Sequence, residues 1–106
     1  MAARRILIVD DYPDIADTLC LLLEAMGHRC RFETEPSIAL DVAITFAPEI
    51  ALLDLNMPSP DGFEVARRLR FMAGRRPLFL AAMTGSGHPE SQAKAVAAGF
   101  DHFALK

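Results

Sequence analysis

Short apolar runs that alternate with amphipathic segments constrain the fold of this chain more than any other feature. The runs Arg5 to Val9, Glu49 to Asp54 and Leu78 to Met83 are rich in aliphatic residues and have the length of strands covered on both faces. Apolar residues at helical spacing, for example Ile15 and Leu19, fill the segments between them. Strands that alternate with helices predict an α/β domain with a parallel sheet.

Five strands and four helices are predicted in alternation. Pro13 begins the first helix and Gly27 ends it, and Arg29 to Glu33 alternates polar with apolar residues as an edge strand does. The remaining predicted elements are a helix from Pro36 that ends before Pro48, a helix through Phe63 and Met72, a helix from Pro89 to Gly99, and a short strand from Asp101 to Leu105. The edge-like second strand fits the order 2-1-3-4-5 of a doubly wound, flavodoxin-like sheet, although the pattern alone does not fix that order.

The length of the chain limits it to one domain. With 106 residues, 52% of them hydrophobic, it can bury one small core but has no room for two. All of its apolar runs are far shorter than the roughly 20 residues needed to cross a bilayer. Residues 1–5 lack the apolar stretch of a secretory signal. A cytoplasmic location without membrane contact is therefore expected.

Charge and cysteine content argue against two further classes of protein. The formal net charge is −3 and the isoelectric point is near 5.5, whereas duplex binding depends on many Lys and Arg contacts with phosphates, so direct nucleic-acid binding is not expected. The arginines between positions 67 and 76 are interpreted as a solvated helix face and the loop after it. Cys20 and Cys30 lack the spacing of a redox or zinc site, so both are predicted to be free thiols.

Polar side chains follow the predicted strands at the point where each strand ends. They are Asp10 and Asp11 after the first strand, Asp54 after the third, Thr84 after the fourth and Lys106 after the fifth. The carboxyl ends of parallel strands share one edge, where open α/β sheets bind ligands. Clustered carboxylates repel one another unless a cation lies among them, and Mg²⁺ prefers such hard oxygen ligands. The available nucleophile is a carboxylate, because the cluster holds no Ser or Cys paired with a base.

Five short motifs in this order resemble the receiver domain of two-component response regulators. They are Ile8-Val9-Asp10-Asp11, Leu53-Asp54-Leu55-Asn56-Met57-Pro58, Asp61-Gly62, Met83-Thr84-Gly85, and Ala98-Gly99-Phe100-Asp101 leading to Lys106. The intervals from Asp11 to Asp54, from Asp54 to Thr84 and from Thr84 to Lys106 also agree with that family. The match covers essentially the whole chain. One such motif alone would be weak, whereas the ordered set is specific.

The resemblance implies a phosphorylation-dependent signalling switch. Asp54 would accept a phosphoryl group from a sensor histidine kinase or a histidine phosphotransfer protein, and the domain would catalyse this transfer and its own slow dephosphorylation. Mg²⁺ or Mn²⁺ would be held by Asp10, Asp11, Asp54 and the backbone carbonyl of Asn56. The resemblance further implies that Thr84 and Lys106 contact the phosphate, that Phe103 turns inward in the active state, and that Asn56 and Ser86 tune hydrolysis.

The family also implies where an output would form. A homodimer or an output domain would use the face from the fourth helix to the fifth strand. Relatives continue beyond the position of Lys106 with a fifth helix, so residues 1–106 are expected to form a receiver domain that lacks its C-terminal helix. The sequence names neither the kinase nor the output.

Other interpretations of the same residues remain to be weighed. Asp11 could instead cap the first helix and Asp54 could form a turn. A Mg²⁺-dependent aspartyl phosphatase would need a second aspartate two positions after the nucleophile, where this chain has Asn56. A flavodoxin would need a phosphate-cradling loop after the first strand, which Asp10 and Asp11 would repel. A docking module that is never phosphorylated remains an alternative.

Overall fold

Helical crossovers between parallel strands organise the protein into a single sheet with helices on both faces. The computed structural model describes residues 3–55, 57, 61–84 and 89–105, and only the backbone of residues 89–91 and 105. Its elements are β1 (Arg5–Val9), α1 (Pro13–Ala25), β2 (Arg29–Glu33), α2 (Pro36–Phe46), β3 (Ile50–Asp54), α3 (Gly62–Ala73), β4 (Phe79–Thr84), α4 (Pro89–Ala98) and β5 (His102–Leu105). All neighbouring strands are parallel, in the order β2-β1-β3-β4-β5. The predicted fold and strand order are confirmed.

The two faces of the sheet bury separate sets of side chains. In β1, Leu7 and Val9 pack into the larger cluster with α2, α3 and α4, whereas Ile6 and Ile8 pack against α1. This alternation follows from the two-residue period of a strand. Because both faces of β1 are covered, its sequence is a continuous apolar run. Leu7 has no exposed surface, so truncating such a side chain to alanine costs about 2–5 kcal/mol.

Local sequence sets the helix boundaries. Proline occupies the first turn of α1 and α2, where its missing N–H would be unpaired in any case. Asp61 caps α3, since its carboxylate accepts a hydrogen bond from the N–H of Glu64 at 3.0 Å. α2 ends at Ala47, whose left-handed φ of 49° stops the helix before Pro48. The predicted bounds differ from the observed ones by about one residue at β3, β4 and β5.

The prediction of two free thiols is wrong. Cys20 of α1 and Cys30 of β2 form a disulfide, with their Cα atoms 5.3 Å apart, inside the usual range for such a bond. Both side chains belong to the cluster on the α1 face of the sheet, where the crossover from β1 places α1 beside β2. Ten positions separate the two residues along the chain. No rule based on the spacing of cysteines in the sequence predicts that these two lie close together.

The amino-terminal edge of the sheet is held by arginines. Arg70 of α3 donates to the carbonyl oxygen of Leu78 at 2.6 Å, to that of Gly99, and to Asp101 Oδ2 at 2.9 Å. The same Oδ2 atom accepts the N–H of Leu80 at 2.9 Å. Arg70 therefore joins α3 to the start of β4 and to the turn before β5, and it is not part of a purely solvated face.

A second set of contacts closes the same edge at β1 and β3. Glu49 accepts a hydrogen bond from Arg4 Nη1 at 3.2 Å, and its other oxygen lies 3.5 Å from Arg5 Nη1. Arg76 donates to the carbonyl oxygen of Pro48 at 3.0 Å. The carboxylates of Glu49 and Asp101 thus each face at least one guanidinium group.

Among the described residues, no helix is long and apolar enough to cross a membrane.

Candidate functional site

Strand register brings the polar strand ends to one place. Val9 of β1 lies beside Leu53 of β3, so the residues that follow them, Asp10 and Asp54, emerge side by side. Asp54 pairs with Met83 of β4, and Thr84 is the next residue of that strand. The convergence expected from a parallel sheet is therefore present at the carboxyl-terminal edge for these three residues.

Three carboxylates form a compact acidic cluster at this edge. Oxygen atoms of Asp10, Asp11 and Asp54 all lie within 4.8 Å of one another. Asp10 has no exposed surface and Asp54 is 2% exposed, whereas Asp11 is exposed at the rim. Burying ionised carboxylates next to one another is unfavourable without a compensating interaction. A fold that keeps them together points to a functional use.

The turn after β1 fixes the orientation of the first two aspartates. Asp10 Oδ1 accepts the backbone N–H of Tyr12 at 2.9 Å, and the N–H of Asp10 donates to the carbonyl oxygen of Glu33 at 3.2 Å. Tyr12, rather than Asp11, occupies the N-cap position of α1, and its side chain makes no capping hydrogen bond. The alternative that Asp11 serves as a helix cap is therefore wrong, and its carboxylate lies in the cluster.

The pKa of Asp11 reports the electrostatics of the cluster. Although Asp11 is exposed overall, loss of water on its protein-facing side is the largest cause that raises the pKa of its carboxyl above the usual value. The charge of Asp54, a hydrogen bond with Asp54 and the charge of Asp10 raise it further. The two neighbouring carboxylates thus make the ionisation of Asp11 harder, and a bound cation would relieve this.

The donor set fits a hard divalent cation. The cluster offers three carboxylate oxygens and no sulfur or imidazole, and one of the three side chains opens to solvent. Mg²⁺ and similar ions prefer one or two carboxylates, keep several waters and leave positions for phosphate oxygens. The acidic pocket is therefore suited to a divalent metal, in agreement with the sequence prediction for these three residues.

Gly62, the first residue of α3, belongs to one of the motifs that carry the family resemblance, but its contact with the site was not predicted from the sequence. A Cβ atom there would lie 2.5 Å from the carbonyl oxygen of Asp54 and 3.0 Å from Leu55 Cα. Only glycine permits this approach of the helix to the backbone that follows β3. The signal in the sequence is the capping Asp61 directly before it, which fixes where α3 must begin.

The remaining predicted residues divide into two groups. Thr84 is 1% exposed at the end of β4, and Phe103 lies beside Ala82, half-buried against the cluster of α2, α3 and α4. Asn56, Ser86 and Lys106 fall outside the described residues. Leu55 and Met57, each 5% exposed, anchor the chain that leaves Asp54 into the core.

Comparisons with known proteins agree with this geometry. The family model described as "Response regulator receiver domain" matches residues 6–106. The chain is 31% identical over 106 residues to the uncharacterized 14.6 kDa protein in the sodA1 3' region of Leptolyngbya boryana, covering 100% of this chain and 81% of that protein. It is 29% identical over 102 residues to the DNA-binding dual master transcriptional regulator RpaA of Synechocystis sp., covering 96% of this chain and 42% of RpaA.

The structural comparison gives the same fold. Chemotaxis protein CheY4 of Vibrio cholerae superposes with a TM-score of 0.91 at 24% identity, covering 99% of this chain and 88% of that one. The chain spans less than half the length of RpaA and of other regulators that it matches. Family model, fold and acidic pocket all agree, and the chain belongs to the response regulator receiver domain family.

Proposed function

We propose that Asp54 accepts a phosphoryl group and that its phosphorylation state carries the signal of this domain. The observation that carries the proposal is the cluster itself, because Asp54 is buried at a strand end with two further carboxylates within 4.8 Å. Membership of a family that signals through phosphorylation supports the same role. The chain 1–106 acts in this proposal as one receiver domain.

The transfer step requires one bond to form and one to break. A carboxylate oxygen of Asp54 attacks the phosphorus of a phosphohistidine, on a sensor histidine kinase or a histidine phosphotransfer protein. The P–N bond breaks, and the imidazole nitrogen keeps the electron pair as it leaves. Phosphoryl transfer depends mainly on alignment and on neutralising charge over the equatorial oxygens. The fixed position of Asp54 at the end of β3, the strand between β1 and β4, would supply the alignment.

Mg²⁺ or Mn²⁺ is the proposed cofactor. Asp10 and Asp11 would hold the ion beside Asp54, with the backbone carbonyl of Asn56 as a further ligand by sequence position. Bound there, it would neutralise charge on the transferring phosphoryl group. Thr84, at the end of the neighbouring strand, would donate its hydroxyl to a phosphate oxygen, and Lys106 is assigned the same task from sequence alone.

The output in this proposal is conformational. Phosphorylation adds about −1.5 to −2 charges at Asp54, which draws the Thr84 hydroxyl toward it. Phe103, on the strand beside β4, would follow by changing its packing, and the α4–β5 face would then bind an output domain or a second receiver. Asn56 and Ser86 would control the water that hydrolyses the acyl phosphate. A cytoplasmic location follows from the proposed kinase partner.

Acetyl phosphate with Mg²⁺ tests the assignment without a cognate kinase. We expect the intact mass to rise by one phosphoryl group, about 80 Da, with Mg²⁺ present and not with EDTA. Asp54→Asn should abolish this increase, because it removes the nucleophile. Asp14→Asn, an exposed aspartate in the first turn of α1, is the matched control and should be labelled like the parent.

Two results would contradict the proposal. One is equal labelling of Asp54→Asn and the parent, which would place the phosphate elsewhere. The other is sustained release of inorganic phosphate from a simple phosphomonoester such as p-nitrophenyl phosphate. That result would favour the aspartyl phosphatase.

A further inference from the structure

The outer surfaces of α2 and α3 form an apolar groove of about 440 Å³, named here the α2–α3 groove. Its walls include Ile44 of α2 and Phe71 and Met72 of α3. Phe71 is 88% exposed and Ile44 is 68% exposed. Isolated apolar side chains are common on protein surfaces. A contiguous set of them with a polar rim is instead typical of an interaction surface. Within a single chain, most of the surface of Phe71 remains exposed to water, so folding alone buries little of its ring.

Charged side chains of both signs surround this apolar centre. Asp41 lies on the α2 side, and Glu64, Arg67 and Arg68 lie on the α3 side. Arg68 is already paired with Glu64 at 2.9 Å. Within the described part of the chain, Asp41 and Arg67 form no ion pair with each other or with another residue. The rim therefore carries two acids and two arginines, and it presents one unused charge of each sign.

A rim with balanced, opposite charges on its two sides is complementary to itself. α2 and α3 follow parallel strands and so run in the same direction across the sheet. Asp41 is the sixth residue of α2, counted from Pro36, and Arg67 is the sixth of α3, counted from Gly62. A two-fold axis along the groove would place each α2 over the other copy's α3. Asp41 would then face Arg67 of the second copy twice, as an isologous interface requires.

We propose that a second copy of this chain occupies the α2–α3 groove and forms a two-fold symmetric dimer. Phe71 of each copy is buried at its centre, and the two Asp41–Arg67 pairs close its rim. An aromatic centre within a polar rim is the usual anatomy of such an interface. This surface is distinct from the α4–β5 face, and it does not depend on phosphorylation of Asp54.

The size of the surface sets the strength to expect. Stable specific complexes bury about 800 Å² on each partner. One groove between two short helices offers less, so the dimer is expected to be weak, with a Kd of about 10⁻⁵–10⁻⁴ M. Sedimentation velocity of the 106-residue chain across this concentration range, without Mg²⁺ or phosphodonor, should show the monomer converting to a dimer. If no dimer forms in this experiment, the proposal that Asp54 is phosphorylated is unaffected.

Phe71→Glu tests the apolar centre. Placing a charge where an aromatic ring should be buried is expected to weaken the dimer at least tenfold. Val96→Glu is the matched control, because Val96 is 74% exposed on α4, outside the groove. It should dimerise like the parent. Both substitutions are at exposed positions, and thermal melts followed by circular dichroism should show both variants folded.

Charge reversal tests the pairing itself. Asp41→Arg and Arg67→Asp should each weaken the dimer about fivefold, because each sets like charges against one another at two symmetric positions. The double variant restores opposite charges and should return to within about twofold of the parent. A general loss of folding cannot produce this rescue.

Three outcomes would overturn the proposal. If the chain stays monomeric at every concentration measured, no second copy occupies the groove, and any occupant must be a different protein. A dimer that Phe71→Glu leaves intact and Val96→Glu breaks belongs to α4. A dimer that both single charge reversals weaken and the double variant does not restore lacks the proposed pairing.

Discussion

The two edges of the sheet use charge in opposite ways. At the amino-terminal edge, Glu49 and Asp101 each face arginines, and hydrogen bonds help to hold the pKa of both carboxyls below their usual values. At the carboxyl-terminal edge, Asp10, Asp11 and Asp54 face one another, and the pKa of Asp11 is raised. The first arrangement stabilises the fold as it stands. The second is unfavourable without a cation among the carboxylates, and this difference separates charges that stabilise the fold from charges suited to a functional site.

Replacing Arg70 should break the amino-terminal edge. Arg70→Met leaves the carbonyl oxygens of Leu78 and Gly99 and the Asp101 carboxylate without their donor. We expect a loss of about 3 kcal/mol in the free energy of unfolding, because unsatisfied, part-buried polar groups cost about 1–3 kcal/mol each. Urea denaturation followed by circular dichroism measures this loss.

Arg4→Met serves as the comparison on the same edge. Arg4 makes one exposed ion pair with Glu49, which is worth about 0–1 kcal/mol. Equal losses for the two variants would show that Arg70 acts only as a surface charge.

Replacing Asp54 at the carboxyl-terminal edge should raise the free energy of unfolding, whereas replacing Arg70 should lower it. Without divalent cation, Asp54→Asn removes one of three mutually repelling charges and should stabilise the protein by about 1 kcal/mol. Added Mg²⁺ should stabilise the parent more than the variant, because the variant has lost a ligand. Thermal melts with EDTA and with Mg²⁺ measure both effects. Destabilisation by Asp54→Asn in EDTA would contradict the view that the cluster is strained by its own charge.

The pH dependence of stability should also differ between the edges. Burial opposes ionisation of Asp101, but the Leu80 N–H and the Arg70 guanidinium outweigh it and lower its pKa. A lowered pKa contributes stability above the unfolded value of 3.8, and that stability is lost as the pH falls through the folded value. The raised pKa of Asp11 has the reverse effect, favouring the folded state at low pH and losing that contribution as the pH rises above 3.8.

Asp101→Asn should therefore flatten the loss of stability below about pH 4. Asp11→Asn should remove the loss of stability that the raised pKa of Asp11 causes as the pH rises above 3.8. Urea midpoints between about pH 3 and 7 give the measurement. The effect is the smallest of those considered, because both side chains are partly exposed to solvent. Identical acid limbs in the parent and in both variants would show that neither carboxyl is coupled to folding.

Sequence predicted the features of this protein that depend on local pattern. The apolar runs give the strands, and a parallel sheet forces Asp10 and Asp54 to one edge whatever the details of packing. The contacts of Arg70 and the Cys20–Cys30 pair were not predicted, because they join segments that only tertiary packing brings together, 29 and 10 positions apart. The roles of Asn56, Ser86 and Lys106 stay predictions.

Gly62 has a mechanical consequence for the whole domain. Because its Cα lies against the backbone of Asp54 and Leu55 with no room for a side chain, α3 rests directly on the chain that carries the acidic cluster. A helix is stiff along its axis, and Phe71 lies nine residues further along α3, about 13 Å away. A backbone displacement at Asp54 too large for this contact to absorb would therefore tilt α3 as a lever, with Phe71 of the α2–α3 groove near its far end.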